Sequence, residues 1–167
     1  VPSIIDGGRQ SINNLERSAT LFLSKNTYAA ILAVIFILVP IEYPYAPIEM
    51  SLLNALCIGI PGLILALEKN TARIKDQFIR NIKRYSIPTG ILVAFSMLIL
   101  SIAAEHINLP RPYLLTLSAI ITFAINITLI YRISRPLNPF RAALITILVI
   151  AFILALSLPA LQALFDF

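Results

Sequence analysis

The residues best suited to chemistry lie in one apolar stretch, residues 47–68, which reads PIEMSLLNALCIGIPGLILALE. Its centre carries Gly59 and Pro61, which a helix built only as an anchor does not need. Pro61 has no N–H to give to the carbonyl of Cys57, and its ring crowds that carbonyl, so we expect the helix to kink or unwind there. In lipid such a break is tolerated only where it faces protein, water or a ligand.

Two polar side chains precede this break on one face of the helix. Ser51 is followed three residues later by Asn54, a spacing that places both on the same side. With the freed carbonyl of Cys57 they offer oxygen atoms that suit a cation. A purely structural proline kink explains the same pattern, so the stretch predicts either a cation-coordinating site or a bend in a spanning helix.

Five apolar segments are expected to position these residues, each long enough to cross a bilayer as a helix. They cover about residues 20–39, 47–67, 87–104, 113–131 and 140–158. Residues 1–19 are more polar and continue into the first span, as expected for one long helix whose first part is a cytosolic stalk. The sequence therefore predicts an all-α, polytopic transmembrane bundle, with residues 20–167 as the transmembrane domain.

Composition agrees with a membrane protein. Hydrophobic residues make up 59% of the chain, against roughly 45–50% in soluble domains. One cysteine and one histidine exclude an intrachain disulfide and a Cys- or His-based metal cluster. The net charge of +5 does not indicate nucleic acid, because 12 of the 13 Lys and Arg residues fall on one side of the spans. By the positive-inside rule that side, with the N-terminus, is cytosolic, which indicates a multi-pass protein of the cytoplasmic membrane.

Two connecting segments carry further expectations. The turn at residues 40–47 contains three prolines, Glu42, Tyr43 and Tyr45, and its tyrosines are expected at the membrane interface. Residues 69–85 are basic, with apolar residues at helical spacing. That segment fits either an amphipathic surface helix that binds anionic lipid or a loop whose charge only sets topology.

Polar residues inside the spans are few. Lys25 lies early in the first span, where it either snorkels to the interface or finds a partner. Ser118, Thr122 and Asn126 form one stripe on the fourth span. The stripe must face other helices, and interhelical hydrogen bonds explain it.

Short motifs recur in order along the first two spans: Gly8-Arg9, Asn13-Asn14-Leu15-Glu16-Arg17, Phe22-Leu23-Ser24-Lys25, Asn54, Gly59-Ile60-Pro61 and Ala66-Leu67-Glu68. In this order and spacing they resemble the fifth and sixth transmembrane helices of the P-type cation-transporting ATPases, particularly a bacterial branch. In that family the fifth helix runs from the phosphorylation domain into the membrane, and both helices supply ligands for the transported ion.

The resemblance implies that Asn26 and Asn54 match asparagine ligands of calcium-pump-like members. Ser51 and Cys57 complete our set of candidate cation-binding residues. Lys25, beside Asn26, is a candidate for a built-in positive charge. The alternative for the two asparagines is that their amides bond to each other and hold the helices together.

The chain also departs from the calcium-pump pattern. It has Ala29 where such members place an acidic ligand, and Cys57-Ile58 where they place Thr-Asp. Two oxygen ligands of the kind that Ca²⁺ prefers are therefore replaced.

The expected function is that of a membrane-domain fragment of an ATP-driven cation pump. Its partners would be the transported inorganic cation, the remaining domains of the parent and the bilayer. The phosphorylation motif Asp-Lys-Thr-Gly does not occur in the sequence, so we expect no ATP hydrolysis by this chain alone, no cofactor in it, and Mg²⁺ and ATP bound by the parent. An independent small membrane protein, channel-like or accessory, is the alternative. A membrane enzyme ranks third, because no nucleophile–base or metal constellation is visible.

Overall fold

The computed structural model describes residues 2–68 and 78–157, and every regular element within them is helical. The elements are α1 (Pro2–Leu38), α2 (Pro47–Asn54), a π-helical turn (Ala55–Gly59), α3 (Ile60–Leu67), α4 (Phe78–His106), α5 (Arg111–Ile133) and α6 (Pro139–Ser157). Five stretches are long and apolar enough to cross a membrane: Ser11–Leu38, Pro47–Leu67 and the whole of α4, α5 and α6. The expected all-α, five-span fold is confirmed, and the chain is that of a multi-pass membrane protein.

Local sequence explains where α2 and α6 begin. Ala46 is extended, with φ −89° and ψ 151°, and Pro47 follows at the first helical position, where a missing N–H costs nothing. The Glu49 carboxylate accepts a hydrogen bond of 3.1 Å from the Ala46 N–H, which is the half of a capping box that does not need a polar side chain at the N-cap. At α6 the Asn138 side-chain oxygen accepts a bond of 2.8 Å from the Arg141 N–H, as an N-cap residue does.

The long helix α1 packs along α4 and also against α3. Gly90 of α4 marks a close approach to α1. A Cβ there would lie 2.5 Å from the Thr27 Cβ and 2.9 Å from the Ser24 carbonyl oxygen. Small residues commonly allow membrane helices to pack this closely, and only glycine fits at this crossing.

Every span contributes side chains to one apolar core. Its fully buried members include Tyr28, Leu32, Leu53, Leu65, Met97, Ile130 and Leu148. Many large apolar residues are instead exposed on the outer faces, which is unfavourable in water but normal against lipid.

The polar stripe on α5 faces the interior, as expected, because Ser118, Thr122 and Asn126 are all at most 2% exposed. Its partners include the loop before α2 as well as helices. Ser118 Oγ donates to the Pro44 carbonyl, and the hydroxyls of Thr122 and Tyr45 are 2.6 Å apart. Tyr45 is only 3% exposed, so its ring packs inside the protein and does not face lipid, and the Thr122 hydroxyl satisfies its hydroxyl.

The basic segment after the second span differs in part from expectation. Residues 69–77 lie outside the described residues. From Phe78 onward the chain is already α4, which continues through Pro88 into the membrane-spanning part. Residues 78–85 are therefore not a separate surface helix, because Pro88 removes only one backbone donor and the helix passes through it.

Candidate ion-binding site

A π-helical turn lies between α2 and α3, where we expect a kink or an unwound segment. Asn54, Gly59 and Ile60 all keep right-handed helical dihedrals, and the Ile60 N–H donates to the carbonyl of Ala55, five residues back. One extra residue is thereby accommodated in the turn before Pro61. Such single π turns are frequent at functional sites.

Asn54 is the last residue before this turn. Its Oδ1 atom is buried and has no hydrogen-bond partner among the described residues. An unpaired amide oxygen in an apolar interior costs free energy, and a bound cation or water would satisfy it. The helix therefore presents one free ligand atom next to its irregular turn.

The neighbouring candidates have different surroundings. Ser51 is exposed, and its hydroxyl donates to the Pro47 carbonyl at 3.1 Å, so its own helix already satisfies it. Cys57 lies within the π turn, is a free thiol and is 2% exposed. Of the two, only Cys57 shares the buried side of the helix with the core.

The candidates on α1 face outward. Asn26 is exposed and Lys25 is half-buried, while Ser24 and Tyr28 of the same helix are buried. Asn54 Oδ1 accepts no hydrogen bond from Asn26. The described residues therefore do not join the two asparagines into one cluster, and Asn26 lies on the face of α1 that this part of the chain leaves open.

Among the described residues, no group of three or more His, Cys, Asp or Glu side chains could hold a metal ion. A cavity of about 420 Å³ lies at the end of the bundle where α1 and α4 terminate. Glu42 and Glu105 line it together with Ser101 and Asn108, but Glu42 is already paired with Arg111. The described residues therefore contain no preformed cation site made only of protein ligands, in this cavity or elsewhere.

A buried ionic cluster that we did not expect from the sequence lies at the opposite end of the bundle. Glu68, directly after α3, accepts a hydrogen bond of 2.7 Å from Arg17 of α1. Arg141 of α6 donates from Nε to both carboxylate oxygens, at 2.8 and 2.9 Å, and the Asn138 amide donates at 2.8 Å. The side chains of the three charged residues are only 7–10% exposed, so this is an interior ion-pair network and not a surface one.

Further bonds fix the Arg141 side chain. Its guanidinium donates to the carbonyls of Ser134 and Pro136, at 3.1 and 2.6 Å. The positive-inside rule predicts for Arg141 only that it is one of the 12 basic residues on the cytosolic side. A signal was present in the sequence, because Arg141 is a charged residue at the very start of the last apolar segment and Glu68 is an acid that directly precedes the basic segment at residues 69–85.

The cluster also alters the acidity of Glu68. Burial by itself would raise the pKa of this carboxyl group. The hydrogen bonds from Arg141, Asn138 and Arg17 outweigh that effect and hold the pKa below its ordinary value. Glu68 is therefore a carboxylate at neutral pH.

The chain is similar in sequence to several bacterial cation-transporting ATPases. The chain is 28% identical over 99% of its length to the calcium-transporting ATPase CtpE of Mycolicibacterium smegmatis. It is 26% identical, again over 99% of its length, to the probable cation-transporting ATPase exp7 of Streptococcus pneumoniae. The chain is homologous to bacterial cation-transporting ATPases. The resemblance expected from the motifs is thereby confirmed.

These relatives are much longer proteins. The chain spans 23% of the first relative and 22% of the second. The calcium-transporting ATPase CtpE of Mycobacterium tuberculosis gives a similar result, with 28% identity over 95% of this chain and 22% of that protein. No protein-family model matches the chain, and no solved structure matches it.

Proposed function

We propose that this chain is part of the membrane domain of an ATP-driven cation pump of the P-type, in which it forms part of the ion pathway. The observation that carries the proposal is the similarity of almost the whole chain to one segment of much longer cation-transporting ATPases. An independent small membrane protein is disfavoured by the same observation, because the similarity runs through all five spans.

In this proposal α1 has two roles. It is a continuous helix of 37 residues, long enough at about 1.5 Å per residue to extend well beyond the ~30 Å hydrocarbon layer. Its first part is the stalk that receives movement from the phosphorylation domain of the parent. Its membrane part, beside α2, α3 and the π turn, transmits that movement to the ion pathway.

Cation recognition is proposed at Asn54, with Asn26, Cys57 and Ser51 as further candidates. The free, buried Oδ1 atom of Asn54 beside the π turn supports this assignment most directly. Asn26 is exposed and requires other parts of the parent to complete its surroundings. Lys25, half-buried next to Asn26, is proposed as a built-in positive charge.

Nucleotide chemistry is assigned to other domains of the parent. ATP hydrolysis by such a pump requires Mg²⁺ and a phosphorylated aspartate. By the resemblance to this family, Mg²⁺ and ATP are bound by the remaining domains of the parent. This chain contributes the membrane pathway and the mechanical link.

The proposed topology follows from charge, with the N-terminus and the α5–α6 loop in the cytosol. We expect a thiol introduced by Lys83→Cys to react only from the cytosolic side, and one introduced by Ile107→Cys only from outside. Both positions are exposed and lie at opposite ends of α4. The measurement is labelling of intact cells with a membrane-impermeant maleimide, in a background without other cysteines. Reaction of the Lys83→Cys variant from outside would invert the topology.

For the ion site, we expect Asn54→Ala in the complete protein to weaken apparent ion affinity at least tenfold, because a ligand oxygen is lost. Stability should change little, since Oδ1 has no protein partner to lose. The measurement is the ion dependence of phosphoenzyme formation, alongside thermal unfolding. Asn26→Ala is tested in the same way.

Thr128→Ala is the matched control for these variants. Thr128 is an exposed polar residue of a span, and its hydroxyl bonds only to its own helix. It should leave ion dependence unchanged. The ligand assignment is wrong if Asn54→Ala keeps wild-type ion dependence and loses only stability, and the pump proposal fails if the wild-type protein forms no ion-dependent phosphoenzyme.

A further inference from the structure

Three separate parts of the chain meet at the single carboxylate of Glu68. Arg17 comes from α1, Glu68 itself ends α3, and Asn138 and Arg141 belong to the loop and first turn that open α6. The partners are 51 to 73 residues away from Glu68 in sequence. The cluster is therefore a joint between distant segments and not a local helix-capping arrangement.

Backbone contacts strengthen the side of the joint that faces α1. The Asn14 amide donates to the carbonyls of Ala66 and Glu68, at 2.7 and 2.9 Å, and Ser18 Oγ donates to the Gly62 carbonyl at 3.1 Å. The last carbonyls of a helix have no partner within it. Here Asn14 of α1 supplies partners for the carbonyls at the end of α3, and Ser18 adds a bond to a carbonyl nearer its start, so α1 and α3 are bonded along more than one helical turn.

The charges make this joint depend on its geometry. Two guanidinium groups share one carboxylate in a site that is nearly closed to solvent. Such a triad is favourable only while all its hydrogen bonds are made, because an uncompensated buried charge is costly. Displacing α1 alone, or the α5–α6 loop alone, would leave one arginine without its partner.

We propose that Glu68 is a coupling residue, which locks the stalk part of α1 to the α5–α6 loop so that both move with the end of α3 as one body. This inference rests on the proposed function, in which movement of α1 drives transport. A tilt of the stalk would then carry α3, which follows the π turn, and the base of α6 together. Glu68 acts through its partners and is assigned no contact with the ion.

The test uses the complete protein reconstituted in sealed proteoliposomes and replaces the whole triad with apolar residues of similar size, as Arg17→Met, Glu68→Leu and Arg141→Met. A buried ion triad replaced in this way usually retains stability. The structural role is thereby separated from the coupling role. The matched control is Lys83→Met with Arg132→Met, which removes one exposed cation from the first turns of α4 and one from the last turn of α5. Neither is among the hydrogen-bond or ion-pair partners of Glu68.

Two quantities are measured on each form. The first is the width of the distance distribution between spin labels at Leu15 and Leu137, which are exposed positions on α1 and on the α5–α6 loop. The second is the number of ions moved per ATP hydrolysed. We expect the triad variant to fold, to broaden the distance distribution at least twofold and to lower the ion-to-ATP ratio at least fivefold, while the control matches wild type.

The proposal is overturned if the folded triad variant leaves either quantity unchanged. If the triad variant does not accumulate, Asn138→Ser takes its place: serine is also a good N-cap residue for α6, but it lacks the amide group that donates to Glu68. It changes no charge and should produce a smaller change in both quantities. A wild-type protein that moves no ions with ATP would refute the proposed function. The distance distribution would then still decide whether Glu68 locks the two segments together.

Discussion

Replacing Gly90 by alanine is expected to destabilise the protein by roughly 2–3 kcal/mol, although alanine is the better helix former. The added methyl group would lie 2.5 Å from the Thr27 Cβ and 2.9 Å from the Ser24 carbonyl oxygen. Neither neighbour yields easily: Ser24 contributes backbone, and Thr27 is β-branched, with its hydroxyl bonded at 2.7 Å to the Leu23 carbonyl. The helices α1 and α4 must therefore separate. The measurement is the free energy of unfolding in mixed detergent micelles.

Two further variants test whether the close contact of α1 with α4 causes the loss of stability in Gly90→Ala. Gly8→Ala meets nothing within 4 Å and should be neutral or slightly stabilising. Thr27→Gly combined with Gly90→Ala should recover part of the loss, so that the two changes are not additive. Equal effects of Gly8→Ala and Gly90→Ala would contradict the close packing of α1 on α4.

The fold was largely predictable because the membrane simplifies the problem. Apolar segments of spanning length must be helices in lipid, and their number and approximate limits follow from the sequence. Hydropathy does not predict which helices contact each other. Gly90 is an example, because a glycine within a spanning segment does not indicate which helix crosses there. The inward direction of the Ser118, Thr122 and Asn126 stripe was predictable, because buried polar groups need partners.

The sequence predicted which residues belong to the candidate site, but not their geometry or surroundings. The position of the irregularity before Pro61 follows from the missing N–H of proline. Its form as a π turn depends on which carbonyls the neighbouring N–H groups bond to, such as the Ile60 N–H to Ala55, and the sequence does not predict this. The pattern gave no reason to expect that Asn26 would face outward while Asn54 Oδ1 lies buried. The environment of Glu68 was missed because its three partners are distant in sequence, and periodicity describes only neighbours on one helix.

Replacing Glu68 by glutamine is expected to cost roughly 3–5 kcal/mol, which is the typical penalty for removing one member of a buried charged cluster. Glutamine has nearly the same shape, so the change removes the negative charge and little packing. Arg17 and Arg141 would then face each other without a counter-ion in a site where their side chains are 10% and 7% exposed. The measurement is again the free energy of unfolding in mixed micelles at neutral pH. A loss below about 1 kcal/mol would mean that the ion pairs of Glu68 are no stronger than ordinary surface salt bridges.

The pH dependence of this loss provides its control. The folded protein holds the pKa of Glu68 below the ordinary value of 4.5, so the carboxylate contributes stability above that pH. This contribution falls as the pH drops through the folded-state pKa and the group becomes protonated. Wild type and Glu68→Gln should therefore differ most near neutral pH and converge in acid. A difference that stays constant from neutral pH to pH values well below 4.5 would mean that glutamine disturbs packing, and that the charge of Glu68 does not hold α1, α3 and α6 together.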